Sequence, residues 1–408
     1  MSFKRNFKRY AKGFIREFLI LIRKLDMAIT MRLAIWTRPW SQKIRIFNLD
    51  LHTSLIADIN VGLKDFDVKL VSWSLSGNNR NFRRFYKIPD PVEGISGKNW
   101  LTLKPEDLNS FAQRYERYLR TFDGFIVCFP PAFAQIFTKF DKPILIFYGT
   151  RYEAPFTHSD KLWGDLNEVL EAGIKSSRIT MVANNMGDVD YFKYFSGFTP
   201  KYIPSLCDYT KAQWHHESNL KIVFSRDERI SHQVSKELDS IWITPTEAFG
   251  KRYSWRKLSK VSEVLVIPYN ISTMTLFELA TAGVPVSIPS QTFIDELMHE
   301  FDGVLSELSF FNVLGLDTKQ LALDNPNRTD QTPMLNWWKN RADFYNSELM
   351  PNVRLIDRFE DLRQAHPFLT SSAIDCQADI RRRNSEIYKK RRELLKNFII
   401  QVQEYLRR

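Results

Sequence analysis

Short apolar segments alternate with longer amphipathic segments along most of the chain, which predicts strands that alternate with helices. Strands are predicted from Lys43 onward and over residues 67–73, 123–129, 143–149, 178–183, 220–224, 240–244, 263–268 and 284–288. Helices are predicted between several of them, including residues 104–121, 160–173 and 271–281. Such alternation is typical of parallel sheets with helices on both faces. The sequence therefore predicts the α/β class.

The length of 408 residues suits two domains of about 150 to 200 residues better than one. We expect two Rossmann-like domains, an N-terminal one over residues 43–210 and a C-terminal one over residues 219–365, with residues 200–219 as the connection. Aromatic residues near the end of the second domain are expected to be exposed: Trp337, Trp338, Phe344 and Tyr345. Residues 370–408 predict a long basic helix whose apolar stripe is Ile380, Ile387, Leu394, Phe398, Val402 and Tyr405.

Residues 1–42 form a separate segment whose first part predicts a basic amphipathic helix. Its apolar residues recur at spacings of three and four: Phe3, Phe7, Tyr10, Phe14, Phe18 and Leu21. Its basic residues lie mostly off that stripe: Lys4, Arg5, Lys8, Arg9, Lys12 and Arg16. This pattern is typical of a helix on an anionic membrane surface, and the alternative is a helix packed on the protein's own surface. The longest apolar run is too short to span a bilayer, and no secretory signal is indicated.

Positive charge is concentrated at the two ends of the chain. The net charge is +11, of which residues 1–24 contribute +7 and residues 378–408 contribute +6, so the remainder carries −2. A protein that binds nucleic acid more often carries its basic residues along the binding groove. We therefore expect no nucleic-acid partner.

One stretch, residues 261–289, combines a strand, a loop, a helix and a second strand. The loop before the helix contains Asn270, Ser272 and Thr273, and Gly283 follows the helix where a C-cap is expected. A helix that begins at the carboxyl end of a parallel strand offers free backbone N–H groups to a phosphate. Glu278, further along the helix, is suited to bind ribose hydroxyls. The alternative is that these polar residues only cap the helix.

The end of this stretch resembles the donor-nucleotide motif of GT-B glycosyltransferases. The matching residues read E-L-A-T-A-G-V-P-V from Glu278 to Val286. The resemblance implies two domains with a central cleft, a donor phosphate at the helix N-terminus, ribose on Glu278, and a C-terminal helix that returns to the first domain. Asn270 stands where many retaining members carry the first of two glutamates, so the sugar contacts of that subfamily are not expected here.

Chemistry is expected between the two domains, on loops at the carboxyl ends of their strands. Asp227 and Glu153 are predicted to face each other and act as acid/base and nucleophile, while His52 is the alternative base. The other candidates are Arg226, Arg229, Asn270, Ser272, Thr273 and Glu278 for the donor, and Asp50 and Arg151 on the acceptor side. The structural alternatives are a helix cap for Asp227, an ion pair with Arg151 for Glu153, and a packing role for His52.

No metal and no cofactor other than the nucleotide-sugar substrate is expected. His215 and His216 lack the ligand spacing of a zinc site. Asp188 and Asp190 are interpreted as the start of a helix rather than a metal-binding D-x-D motif. Three distant cysteines, Cys128, Cys207 and Cys376, indicate neither a disulfide framework nor a metal site and favour a reducing compartment.

Ser272 and Thr273 also resemble the paired hydroxyls that hold CMP-sugars in sialyl- and Kdo-transferases, and Asp227 resembles the nucleophile of bacterial retaining β-Kdo transferases. These resemblances imply a glycosyltransferase at the cytoplasmic face of a membrane, with a glycan or lipid-linked acceptor in surface polysaccharide synthesis and CMP-Kdo as a candidate donor. Two alternatives stay open. One is a non-catalytic nucleotide-sugar-binding protein of the same fold, and the other is a nucleotide-sugar epimerase.

Overall fold

The structure is a computed structural model that describes residues 2–38, 43–76, 92–238, 242–250, 253–369 and 373–408. Within these ranges the side chains of residues 2–14, 16, 19 and 373–375 are not described, so most of the apolar stripe predicted over residues 3–21 lies outside the described side chains. The first two residues of the strand predicted over residues 240–244 also lie outside the described part.

The first sheet has six strands. They are β1 Ile44–Asp50, β2 Val68–Ser74, β3 Gly124–Val127, β4 Ile144–Tyr148, β5 Ile179–Ala183 and β6 Lys201–Tyr202. Their order is β2-β1-β3-β4-β5-β6, and β1 pairs in parallel with both β2 and β3. Strands β3 and β4 are buried along their whole length, as expected for a parallel sheet covered on both faces.

The second sheet has five strands. They are β7 Lys221–Phe224, β8 Trp242–Ile243, β9 Glu263–Val266, β10 Val286–Pro289 and β11 Val353–Ile356. Their order is β11-β10-β9-β7-β8, and all four neighbouring pairs are parallel. Both sheets therefore place their first strand between their second and third strands.

The α-helices in chain order are α1 Ser2–Thr37, α2 Thr53–Leu63, α3 Pro105–Arg114, α4 Glu116–Leu119, α5 Gln135–Thr138, α6 Asp160–Lys175, α7 Met186–Ser196, α8 Glu228–Glu237, α9 Pro245–Phe249, α10 Trp255–Leu258, α11 Met274–Ala282, α12 Gln291–Glu300, α13 Phe310–Leu314, α14 Thr332–Lys339 and α15 Ala373–Arg407. Short 3-10 turns cover residues 100–102, 131–134, 156–158, 208–210, 343–345, 359–363 and 367–369. The α/β class with two Rossmann-like parallel sheets and a long C-terminal helix is confirmed.

The contacts divide the chain into two compact units. Unit 1 contains Met1–Tyr148, Tyr152–Met181 and Leu395–Arg408, and unit 2 contains Gly149–Arg151 and Val182–Leu394. Helix α15 thus contributes residues to both units. Its predicted apolar stripe is confirmed, because Ile380, Leu394 and Val402 are buried. Two basic residues on the same helix, Arg383 and Arg391, are also buried, and the stripe did not predict this.

Several local predictions were wrong. The helix predicted over residues 104–121 is two helices, because the backbone at Tyr115 leaves the helical conformation. Part of the expected connection between the domains, Lys201–Tyr202, is strand β6. Trp338 and Phe344 are buried, although they were expected to be exposed. Amphipathic patterns in short segments do not show which side another segment will cover, and this explains the last error.

Asp343 is a buried carboxyl group within unit 2. Only 5% of the residue is exposed, and its Oδ1 accepts a hydrogen bond from the backbone N–H of Met186 at 3.4 Å. Burial raises the pKa of Asp343 to about 7, an effect that the hydrogen bonds from Met186 and Tyr202 only partly offset. The folded protein therefore binds this proton more tightly than the unfolded chain does.

The contribution of this proton to stability is complete below the unfolded pKa of about 4 and is lost as the pH rises through the folded value. We expect Asp343→Asn, which keeps a neutral group, to unfold at a higher temperature than the wild type at alkaline pH and to lose this advantage in acid. Thermal melts across that range measure the difference. The exposed Asp357→Asn is the matched control and should follow the wild type. If the melting temperatures of the wild type and Asp343→Asn changed with pH in the same way, the raised pKa of Asp343 would be contradicted.

Candidate functional site

In each sheet the connections leave in opposite directions from the first and third strands, which makes the gap between these two strands a topological switch point. Ligands of open parallel sheets bind outside the carboxyl ends of the strands at such points. In the second sheet the loops there follow β7 and β9, and they contain Arg226, Asp227, Asn270, Ser272 and Thr273. Five of the residues predicted to take part in chemistry or donor binding therefore share one edge of this sheet.

Thr273 is the N-cap residue of α11. Its extended backbone, with φ −129° and ψ 134°, suits a cap, but its side chain does not accept a hydrogen bond from the helix. The residue is 5% exposed, and its Oγ1 has no hydrogen-bond partner among the described residues. A buried hydroxyl without a partner costs free energy, so this position is suited to a polar ligand at the helix N-terminus.

Arg151 lies beside the same loop and belongs to unit 2. Its Nη2 donates to the Asn270 Oδ1 at 2.9 Å, and its Nε lies 3.5 Å from an oxygen of Asp188. The guanidinium carbon lies 4.8 Å from the ring centroid of Trp338. Arg151 is 1% exposed, and its Nη1 has no hydrogen-bond partner among the described residues. Arg151 was predicted on the acceptor side, and the structure places it with the predicted donor residue Asn270 instead.

Helix α7 completes a polar cluster, which consists of Arg151, Asn185, Asp188 and Asn270. Thr273 follows Asn270 by three residues on the same loop. Asn185 caps α7 by accepting from the Asp188 N–H at 2.8 Å, and its amide donates to the Asp188 carboxylate at 2.5 Å. Burial raises the pKa of Asp188, while Arg151 and Asn185 act in the opposite direction. The prediction that Asp188 opens a helix is confirmed.

Gly187 holds α7 close to the loop after β9. A Cβ atom built there would lie 2.0 Å from the Ile271 Cδ1 and 3.2 Å from the Trp338 ring. Ile271 is itself buried and follows Asn270 directly. Ile271 can therefore pack against α7 only because residue 187 is a glycine.

The two arginines predicted to hold phosphate have acidic partners in this structure. Arg226 forms an ion pair with Glu307 and lies over the Tyr269 ring. Arg229 binds the Asp227 carboxylate at 2.6 Å and also approaches Asp302 at 3.3 Å. A phosphate would have to compete with these partners, whereas the Arg151 Nη1 has no hydrogen-bond partner among the described residues.

Asp227 is the N-cap residue of α8, and its side chain accepts from the Arg229 N–H. The Arg229 hydrogen bond lowers the pKa of Asp227 below its usual range, so the carboxylate is ionised at neutral pH. These contacts agree with the alternative interpretation, in which Asp227 caps the helix. Its catalytic role stays a prediction.

Glu278 lies inside α11 and is 5% exposed. Its carboxylate accepts a hydrogen bond from the Tyr209 hydroxyl. Ser272, one residue before the cap, is half-buried. For both residues, a role in binding the nucleotide-sugar donor stays a prediction.

In unit 1 the switch point lies between β1 and β3, and a cavity of about 440 Å³ opens there. Its lining combines hydroxyl, aromatic and imidazole groups: Leu51, His52, Thr53, Ser54, Ser76, Gly97, Trp100 and Phe129. Trp100 packs edge-on against Phe129 with ring centroids 5.0 Å apart. An aromatic ring beside hydroxyls is suited to a ligand with both apolar faces and hydroxyl groups, such as a sugar ring.

His52 lines this cavity, and its Nδ1 has no hydrogen-bond partner among the described residues. Burial lowers the pKa of His52 below its usual value of about 6.5. The imidazole is therefore neutral at physiological pH and able to accept a proton. This is the protonation state that a general base requires.

Asp50 was predicted in a loop that contacts the acceptor, but it is the last residue of β1 and is completely buried. Its carboxylate accepts from the His52 N–H at 2.7 Å, from the Ser74 hydroxyl at 3.0 Å and from the Asn48 amide. Asp50 therefore positions His52 and joins β1 to β2.

Glu153 follows β4 and is also completely buried. It belongs to unit 1, whereas Asp227 belongs to unit 2, so the expected pairing of these two carboxylates stays a prediction. Among the residues that the structure describes, no group of His, Cys, Asp and Glu is arranged to hold a metal ion.

Sequence reasoning missed Asn185 and Trp338. Asn184 and Asn185 directly follow β5, so the rule that polar residues gather at the carboxyl ends of parallel strands applied to them as well. Trp338 carried no such signal, because its position beside Arg151 depends on long-range packing.

No family model matches the chain, and no curated protein matches it. Among solved structures, spinosyn forosaminyltransferase is 11% identical with a TM-score of 0.44, over 89% of this chain and 100% of that one. A glycosyltransferase from Streptomyces nogalater is 9% identical with a TM-score of 0.41, over 87% and 99%. UDP-GlcNAc 2-epimerase from Neisseria meningitidis is 11% identical with a TM-score of 0.34, over 74% and 94%. Likenesses of this strength carry no substrate and no residue role to this chain.

Two glycines in helices test the packing of the site. We expect Gly187→Ala to lower the free energy of unfolding by about 1 to 3 kcal/mol, because the new methyl group displaces Ile271. Its melting temperature should fall accordingly. The matched control is Gly164→Ala in α6, where nothing lies within 4 Å of the new atom. This control should raise stability by about 0.5 to 1 kcal/mol through better helix propensity. Equal effects of the two substitutions would show that α7 does not constrain the loop.

Proposed function

We propose that this chain is a metal-independent glycosyltransferase of GT-B type that uses a nucleotide-activated sugar donor. The observation that carries the proposal is a pair of buried polar atoms that have no hydrogen-bond partner among the described residues, the Arg151 Nη1 and the Thr273 Oγ1. A nucleotide phosphate would supply acceptors for the Arg151 Nη1, the Thr273 Oγ1 and the backbone N–H groups of α11.

Charge supports a phosphate rather than a neutral ligand in this cluster. Asp188 faces only part of the Arg151 guanidinium, and Asn270 contributes no charge. The Arg151 Nη1 can donate a charge-assisted hydrogen bond to a phosphate oxygen. The sequence motif from Glu278 to Val286 supports the same assignment, with Glu278 near the ribose.

The cavity of unit 1 is proposed as the acceptor site and His52 as the base. A neutral imidazole can remove the proton from an attacking hydroxyl, while Asp50 holds the backbone of His52 in place. The acceptor oxygen bonds to the anomeric carbon while the bond from that carbon to the donor phosphate breaks. The nucleotide leaves with its phosphate stabilised on unit 2. A CMP-Kdo donor, a glycan or lipid-linked acceptor, and a role in surface polysaccharide synthesis are narrower forms of this proposal, supported only by the resemblance of Ser272, Thr273 and Asp227.

A thermal-shift panel of UDP, GDP, dTDP, CMP and ADP tests donor binding, since a ligand of the folded state raises its melting temperature. We expect one nucleotide to stabilise the protein and Thr273→Val to weaken its binding by about tenfold, because a hydrogen bond to a charged group is lost. The matched control is Thr138→Val in α5, whose hydroxyl bonds the Gln135 carbonyl in unit 1. Stabilisation by CMP alone would favour a Kdo-type donor. If no nucleotide shifts the melting temperature, the proposed donor site is wrong.

Donor turnover with a panel of acceptor sugars tests the base. Because the pKa of His52 is lowered, we expect kcat/KM to rise with pH in the acidic range and to be level at neutral pH. His52→Asn should abolish turnover and keep the nucleotide-induced thermal shift, whereas Asp227→Asn should keep both. Loss of turnover in Asp227→Asn and Glu153→Gln, with His52→Asn active, would assign the chemistry to the carboxylates instead. Interconversion of the donor without any acceptor would indicate an epimerase.

A further inference from the structure

Helix α1 carries a row of large apolar side chains that face solvent. Its members are 45% to 67% exposed: Ile15, Phe18, Leu21, Ile22, Leu25, Ile29, Leu33 and Trp36. At 100° per residue these positions fall within an arc of about 120° on the helix surface. We name this set the α1 row. Two of its members, Phe18 and Leu21, also belong to the apolar stripe predicted from the sequence.

The opposite side of α1 is the side that packs on unit 1. Arg23 there is buried, and the Ala34 carbonyl accepts from Arg45 at 3.3 Å. At one edge Lys24 forms an ion pair with Glu93 at 3.0 Å. The α1 row is therefore not the surface that fixes the helix to the protein.

The α1 row is long, and the exposed Arg32 also falls within its arc. From Ile15 to Trp36 the row extends over about 30 Å at 1.5 Å per residue. Monomeric proteins rarely expose an apolar patch of this extent without a partner. Scattered exposed residues of the same type elsewhere, such as Leu323, do not form a row.

Charge decides between two occupants of this surface. Residues 1–24 carry a net charge of +7, and they lie in the same helix as the α1 row. A second copy of the chain would bring two such segments together, and like charges oppose that pairing. An anionic lipid surface satisfies the apolar row and the positive charge at once.

We propose that α1 docks on an anionic lipid bilayer, parallel to its plane, with the α1 row at the boundary between headgroups and acyl chains. The net positive charge of residues 1–24 is attracted to the phosphate groups of the lipids. Within the described residues, none of the helices has the length and apolarity needed to cross a membrane. This inference does not depend on the proposed glycosyl transfer.

Cosedimentation of the full chain with phosphatidylcholine vesicles, with and without phosphatidylglycerol, tests the proposal. We expect binding to the anionic vesicles only, and weaker binding as the salt concentration rises. Leu25→Glu with Leu33→Glu should reduce binding by about tenfold or more, because two apolar contacts are replaced by negative charges. Lys8→Gln and Lys12→Gln should each reduce it by about fivefold.

The matched control is Leu323→Glu, an exposed leucine outside α1 that is 72% exposed. It should bind vesicles like the wild type. The Leu25→Glu/Leu33→Glu and Leu323→Glu variants should keep the wild-type melting temperature because the replaced side chains are exposed. Equal binding of the wild type and the Leu25→Glu/Leu33→Glu variant would overturn the proposal. So would a wild-type dimer that this variant dissociates, with no binding to anionic vesicles, which would assign the α1 row to a second copy.

Discussion

Arg151 imposes the strongest local constraint on unit 2, because a buried guanidinium is stable only where other groups satisfy its charge and its donors. Asp188, Asn270 and the Trp338 ring do so from three separate segments of the chain. The loop after β4, the start of α7 and the loop after β9 are thereby held together. Within the described part of the chain, the Arg151 Nη1 has no hydrogen-bond partner, and it is the basis of the proposed phosphate site.

The two sheets share the same arrangement of their first three strands. Each has its first strand between its second and third, so each has a switch point where the ends of loops leave space. The space in unit 1 contains His52 and Trp100, whereas the corresponding edge in unit 2 contains Asn270 and Thr273. One edge is neutral and partly aromatic, whereas the other lies beside the buried ion pair of Arg151 and Asp188.

Ion pairing limits which arginine nitrogens stay available to a ligand. Arg226 and Arg229 looked suitable for phosphate because they follow a strand, but their charges are matched by Glu307, Asp227 and Asp302. Arg391 is likewise paired, with Asp208 at 3.1 Å. Several of these acidic partners are distant in sequence, so the residues next to an arginine do not show whether its charge is paired.

The sequence by itself determined the α/β class, most strands, the cap at Gly283 and the polar loop before α11, because these depend on local periodicity and on backbone conformations that few residues adopt. It also located His52 correctly at the end of the first strand. Only the tertiary structure decided that Asp50 is buried beneath His52, that Arg151 joins Asn270, and that Trp338 covers them. These contacts join residues far apart in the chain, and their formation depends on how helices and loops pack over the sheets.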